Sequence, residues 1–115
     1  MPSQTHPNLG VVYAWDLGTF YKTDMDANLV MLGAMVQLSV ISRVLTAPPG
    51  APAQGDRYIV GPAATGAWAT HDDHIALWLG TTWIFFVPKR GTLAFIEAED
   101  KISVFKTAWS AGVAI

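Results

Sequence analysis

Between Asp26 and Arg43 the chain runs for sixteen residues without a charge, ANLVMLGAMVQLSVIS. Few elements of a small domain can hide such a span, so where it is buried constrains the rest of the fold. Ala27, Met31, Ala34, Leu38 and Ile41 follow a 4-3-4-3 spacing, the seam of a helix packed on other helices. Leu29, Leu32, Val36 and Val40 form a second apolar row. The spacing predicts one helix of about four turns over 27–42, apolar on two faces. Asp24 and Asp26 supply N-cap candidates and negative charge at its N-terminus. One face would cover the chain's own sheet. The other would meet a partner chain or, alternatively, be enclosed within a monomer. Gly33, beside Ala34, would allow close helix approach, at a cost of about 1 kcal/mol relative to Ala.

The totals favour the partner. In 115 residues, 51% are hydrophobic and only 14% charged, well under the usual quarter. A single small domain has much surface for its volume and little room to bury that much apolar sequence. The net charge of −2 argues against a nucleic-acid partner, which would need a basic patch. There is no cysteine, hence no disulfide and no thiolate metal site. The first ten residues lack a positive segment followed by an apolar one, so no signal peptide is expected. The apolar run is interrupted by Asn28, Gln37 and Ser39, and no membrane insertion is expected.

The expected fold class is α+β: one buried, oligomerising helix followed by a small antiparallel β-meander. Residues 1–25 read as an N-terminal arm and a short extended segment. The arm either docks on a neighbour or frays, and residues 11–21 are β-branched and aromatic around a turn at 16–18. Residues 26–44 read as the helix. Residues 45–56 are a linker whose Pro48, Pro49 and Pro52 forbid helix. Residues 57–115 form the meander. It has strands at 57–61, 75–79 and 83–87, the last two joined around Gly80, with a further hairpin at 92–97 and 102–105. Residues 67–69 read as short and extended, and 110–115 as a small-residue tail.

Candidate chemistry is sparse. His71, Asp72, Asp73 and His74 are the one cluster of ligand-type residues. Their spacing fits no zinc motif, and neighbours on a strand point to opposite sides. A solvated loop is the expectation, with no metal and no cofactor. Glu97, Glu99 and Asp100 fall at a predicted turn, where acids are ordinary. There is no phosphate loop or nucleophile elbow, and no enzymatic activity is expected. The aromatics Tyr58, Trp68, Trp78 and Trp83, with Phe85 and Phe86, admit two readings. They are the core of a short sheet, or an exposed platform on which glycans stack.

One resemblance sharpens this. Val36-Gln37-Leu38, Leu45-Thr46-Ala47-Pro48-Pro49, Gly55-Asp56-Arg57-Tyr58-Ile59-Val60 and Gly66-Ala67-Trp68-Ala69 occur in order. Ile75-Ala76-x-Trp78, Trp83-x-Phe85-Phe86 and Pro88 then follow, with a closing Trp109. Over residues 26–109 the chain resembles an uncharacterised family of phage tail proteins, also present in gene transfer agents. It departs from the family at 21–28. The resemblance implies a structural virion component, a small tail fibre or a baseplate or fibre adaptor, made in the host cytoplasm and used in host attachment. It implies a homotrimer, other tail or baseplate proteins as partners, and no catalytic residues. The expected oligomer interface is the helix row Ala27, Met31, Ala34, Leu38 and Ile41. The alternative function is host-glycan binding through Tyr58, Trp68, Trp78 and Trp83.

Overall fold

A computed structural model describes residues 4–5, 12–13 and 22–115, with side chains from 23 onward. The chain divides into two compact units, residues 1–36 and 37–115. In the first, β1 (Gln4–Thr5) pairs antiparallel with β2 (Val12–Tyr13), and α1 spans Lys22–Met35. The rest of the expected arm, and the turn at 16–18, lie outside the described residues.

The helix starts earlier and ends earlier than the charge-free span implies. Asp24 lies inside the first turn, where its charge complements the helix N-terminus, and neither it nor Asp26 is the cap. The last helical bond is Val36 N–H to the Leu32 carbonyl, 3.0 Å. Gln37 then turns left-handed, with φ 52°, which ends the helix as a glycine would. The expected interface row is therefore cut. Ala27, Met31 and Ala34 are helical, Ala27 exposed and Ala34 buried. Leu38 and Ile41 belong to the second unit. The apolar row that α1 exposes is instead Met25, Leu29, Leu32 and Val36, the last just past its end. Gly33 has open space where a side chain would stand.

In the second unit the run after Gln37 is strand only at Ser39–Val40 and bends at 41, 43 and 46, with bonded neighbours on both sides. β3 (Ser39–Val40) runs parallel to β7 (Leu93–Ile96), bonded through Phe95 N–H to Leu38 O and Glu97 N–H to Val40 O, at 3.0 and 2.9 Å. Just beyond, Ile41 N–H bonds Arg57 O at 2.8 Å and Ile59 N–H bonds Ser42 O at 3.1 Å. The same run thus lines β4 (Arg57–Ile59). Gly61 closes this seam: a Cβ there would lie 2.7 Å from the Leu45 carbonyl oxygen. A charge-free run reads alike as a helix or as a strand enclosed on both sides. Here its first part is helix and its last part strand.

The expected meander is two sheets. One is β4-β5-β6, antiparallel, with β5 at Ile75–Trp78 and β6 at Trp83–Phe86. The other is β3-β7-β8-β9, with β8 at Lys101–Val104 and β9 at Val113–Ala114. The C-terminal tail therefore contributes an edge strand. Residues 66–68 form a short 3-10 turn that swings Trp68 inward, in place of the expected extended segment. The proline-rich stretch is held by Gly55 N–H to Trp78 O, 2.8 Å, and by Ala53 N–H to the Asp56 carboxylate, 2.9 Å.

Arg43 pins the second unit. Its guanidinium grips Glu99 through two bonds of 2.8 Å and donates to the carbonyls of Ser110 and Ala111 at 2.7 and 2.8 Å. This bidentate fork ties the run after β3 to the β7–β8 turn and to the approach of β9. Glu97 accepts the Ser39 hydroxyl at 2.7 Å, and Asp100 takes a left-handed turn conformation. Each of the three acids has a local structural part. Arg43 also holds the Glu99 carboxyl below its ordinary range.

Candidate functional site

Register alone gathers the aromatics. Tyr58 pairs with Ala76, Ala76 with Phe85, and Trp78 with Trp83. Directly paired residues share a face, so Tyr58, Trp78, Trp83 and Phe85 line one side of the β4-β5-β6 sheet. Trp68 folds over that side and meets Tyr58 and Trp83 at ring-centroid distances of 5.6 and 5.2 Å. Both contacts are inclined, the Trp68–Trp83 one edge-on at 84°, the geometry that aromatic quadrupoles favour.

The four aromatics expected to bind glycans thus divide. Trp68 has 0% exposure and Tyr58 is buried, and both belong to a core with Val60 and Ala76. The Trp68 indole N–H is buried without an acceptor. Trp78 and Trp83 are half-buried at the sheet's open end, their rings 5.1 Å apart and tilted by 54°. They line an open groove of ≈ 500 Å³ with Ala67, Phe85, Thr81 and Thr82. The groove offers apolar ring surface beside two hydroxyls. Thr81 and Thr82 stand in the hairpin loop between the two Trp residues, where sequence reading noted only the turn.

The second surface is the outer side of the β3-β7-β8-β9 sheet. Val40, Ala94, Ile96 and Ser103 face inward and are buried. Their alternates, Leu93, Phe95, Ile102, Val104 and Val113, share the opposite face by register. Leu93 is 61% exposed, Ile102 39% and Val113 70%. Antiparallel sheets with one solvated face ordinarily carry polar residues there. This face is apolar on three adjacent strands. Sequence reading considered apolar surface on the helix and did not note this face, although Leu93, Phe95 and Ile102, Val104 alternate visibly.

The cluster 71–74 is a turn. His74 N–H bonds the His71 carbonyl at 3.0 Å. The Asp72 carboxylate accepts the backbone N–H groups of Ala63 and Ala64, at 2.9 and 3.1 Å, which hold its pKa below the usual range. Asp73 is left-handed, and its carbonyl accepts the Trp109 indole N–H at 2.9 Å. The His71 ring stacks on Phe85, centroids 3.7 Å apart and planes within 3°. Burial, and next the neighbouring His71, push the His74 pKa down. Among the described residues no group of three or more His, Cys, Asp or Glu converges on a metal position.

Among the described residues these features define a small α+β fold with one α-helix, antiparallel-rich sheets, an aromatic groove and an apolar outer sheet face. The chain belongs to the family described as protein of unknown function DUF2793, whose model matches residues 25–110. No curated protein matches it. Among the described residues no helix is long and apolar enough to cross a membrane.

Proposed function

We propose that this chain is a structural component of a bacteriophage tail, a small tail fibre or a baseplate or fibre adaptor, that acts by assembling with copies of itself. The observation that carries the self-assembly is the apolar outer face formed by Leu93, Phe95, Ile102, Val104 and Val113. Such a face on a small domain marks a protein contact. The exposed row of Met25, Leu29, Leu32 and Val36 adds a second apolar surface. The simplest closed assembly for a fibre is a homotrimer. The resemblance of residues 26–109 to phage tail proteins supports the virion setting, in contact with other tail or baseplate proteins. The role is structural, and no residue is assigned a catalytic part. Light scattering behind a sizing column tests the proposal. A mass of three chains is expected, and a single-chain mass at all concentrations would reject self-assembly.

The groove at Trp78 and Trp83 favours a second reading, a host-glycan contact of the same tail protein. Sugar rings stack on indole faces, and Thr81 and Thr82 would meet their hydroxyls. Titrating mono- and oligosaccharides while following tryptophan fluorescence tests it. A saturable change lost in Trp78→Ala would support it. No change at millimolar sugar would remove it.

A further inference from the structure

Two of the three histidines in the chain meet ring to ring. His71 and His74 occupy the first and fourth positions of the turn closed by His74 N–H to His71 O, 3.0 Å. That turn carries the fourth residue back beside the first, as an extended strand would not. Their Nδ1 atoms come to 3.1 Å from each other. The ring planes differ by 62°, so the two rings converge at an angle instead of stacking.

With metal–nitrogen bonds of about 2.0–2.1 Å, a 3.1 Å separation corresponds to an N–metal–N angle of about 100°. That value lies between the right angle of cis ligands in square or octahedral sites and the tetrahedral angle. The rest of the turn is fixed. His71 lies flat on Phe85, Asp72 grips two backbone N–H groups, and Trp109 holds the Asp73 carbonyl. Little rotamer freedom remains for the His71 ring to lose on binding.

We propose that His71 and His74 form a two-imidazole site for a late first-row divalent cation, of the Zn²⁺, Ni²⁺ or Cu²⁺ class. Imidazole suits these ions, whereas Ca²⁺ and Mg²⁺ demand oxygen ligands. Among the described residues no third His, Cys, Asp or Glu joins the pair, so water fills the remaining positions. Both nitrogens must present lone pairs to the ion. In the metal-free pair one Nδ1–H donates to the other Nδ1. On binding, that proton leaves Nδ1 and the ring carries its proton on Nε2, with no net proton release from two neutral rings.

The test uses the purified full chain and Zn²⁺ or Ni²⁺ alone, by calorimetric titration near pH 7.5. One ion per chain is expected. His71→Ala and His74→Ala should each weaken binding by more than the ~10–100-fold that an outer-shell change costs. His6→Ala should leave binding unchanged. Imidazole nitrogen NMR of the unmutated chain makes the test independent of variant folding, and the Nδ1 signals of both rings should shift on Zn²⁺ addition. Absence of saturable binding, binding that persists in both single variants, or shifts confined to Nε2 would each overturn the site.

Discussion

The two sheets of the 37–115 unit are built from hairpins of the same size, yet they treat their apolar residues in opposite ways. β5 is enclosed on both sides: Ile75, Ala76 and Leu77 are all buried. Trp68 roofs one side, and only the Trp78–Trp83 end opens. β7 alternates. Ala94 and Ile96 are buried, whereas Leu93 faces out, beside the exposed Ile102 of β8. The difference separates two uses of apolar sequence. Residues buried on the aromatic side stabilise the fold. Residues on the outer side of the β3-β7-β8-β9 sheet contribute little to a single chain and are available to a partner. Substitutions on the two sides should therefore differ in what they cost the fold.

The largest effect falls on the aromatic side. Trp68→Ala should destabilise by about 3–5 kcal/mol, because the site is fully enclosed and cannot collapse easily. Trp68→Phe should cost less than Ala, since it retains a ring and removes a buried N–H that has no acceptor. Urea unfolding followed by circular dichroism checks both. A loss below about 1 kcal/mol for Trp68→Ala would mean that the roof is not closed in solution.

Arg43→Ala comes next. Its bonds to the Ser110 and Ala111 carbonyls contribute about 2 kcal/mol, the usual range for charge-assisted bonds. Arg43→Lys should not restore them, because a point charge cannot fork across Glu99 and two carbonyls. Urea midpoints of the two variants should therefore fall together.

Gly33→Ala should stabilise α1 by about 1 kcal/mol if that helix face stays free, since no neighbour meets the added methyl. A loss of native mass in this variant would instead place a close helix contact at Gly33.

Acid should weaken the fold in two steps. The folded pKa of His74 is depressed, so its contribution is fully present above the ordinary histidine value of about 6.5 and is lost as pH falls through the lower folded value. Asp72 and Glu99 are also depressed, and their contributions vanish only at more acid pH, below the ordinary carboxylate range. Thermal midpoints between pH 8 and pH 3 should decline in that order, and Arg43→Ala should flatten the second step. A fold that gains stability on acidification would contradict both assignments.

Much of the strand content is legible in the sequence. The β5–β6 hairpin follows from apolar runs flanking Gly80, whose left-handed φ of 99° suits the loop. The β7–β8 hairpin follows from simple alternation. The helix boundary is not legible. Leu38, Val40 and Ile41 continue the helical spacing, yet they serve a parallel strand whose partner lies more than fifty residues on. Gln37 makes the stop, and nothing in a glutamine announces a left-handed turn. For that reason Leu38→Asp is a poor probe of assembly: Leu38 is buried in the second unit, so a charge there would unfold the core. The four aromatics named for a glycan platform could not be divided into buried and half-buried ones from the sequence, because burial of Trp68 and Tyr58 depends on the 3-10 turn at Gly66. The convergence of His71 and His74 was hidden for a related reason. Alternation along a strand separates neighbours, and only a turn brings the first and fourth residues together.

The smallest effect on folding falls on the outer sheet face. Leu93→Asp alters an exposed position and should change stability by no more than about 0.5 kcal/mol. The decisive measurement is the native mass of this variant beside the unmutated chain, by light scattering behind a sizing column, with circular dichroism to confirm the fold. The outer-face account predicts a three-chain mass for the unmutated protein and a single-chain mass for folded Leu93→Asp. A folded variant that keeps the full native mass, or an unmutated chain that runs as a single copy, would contradict it.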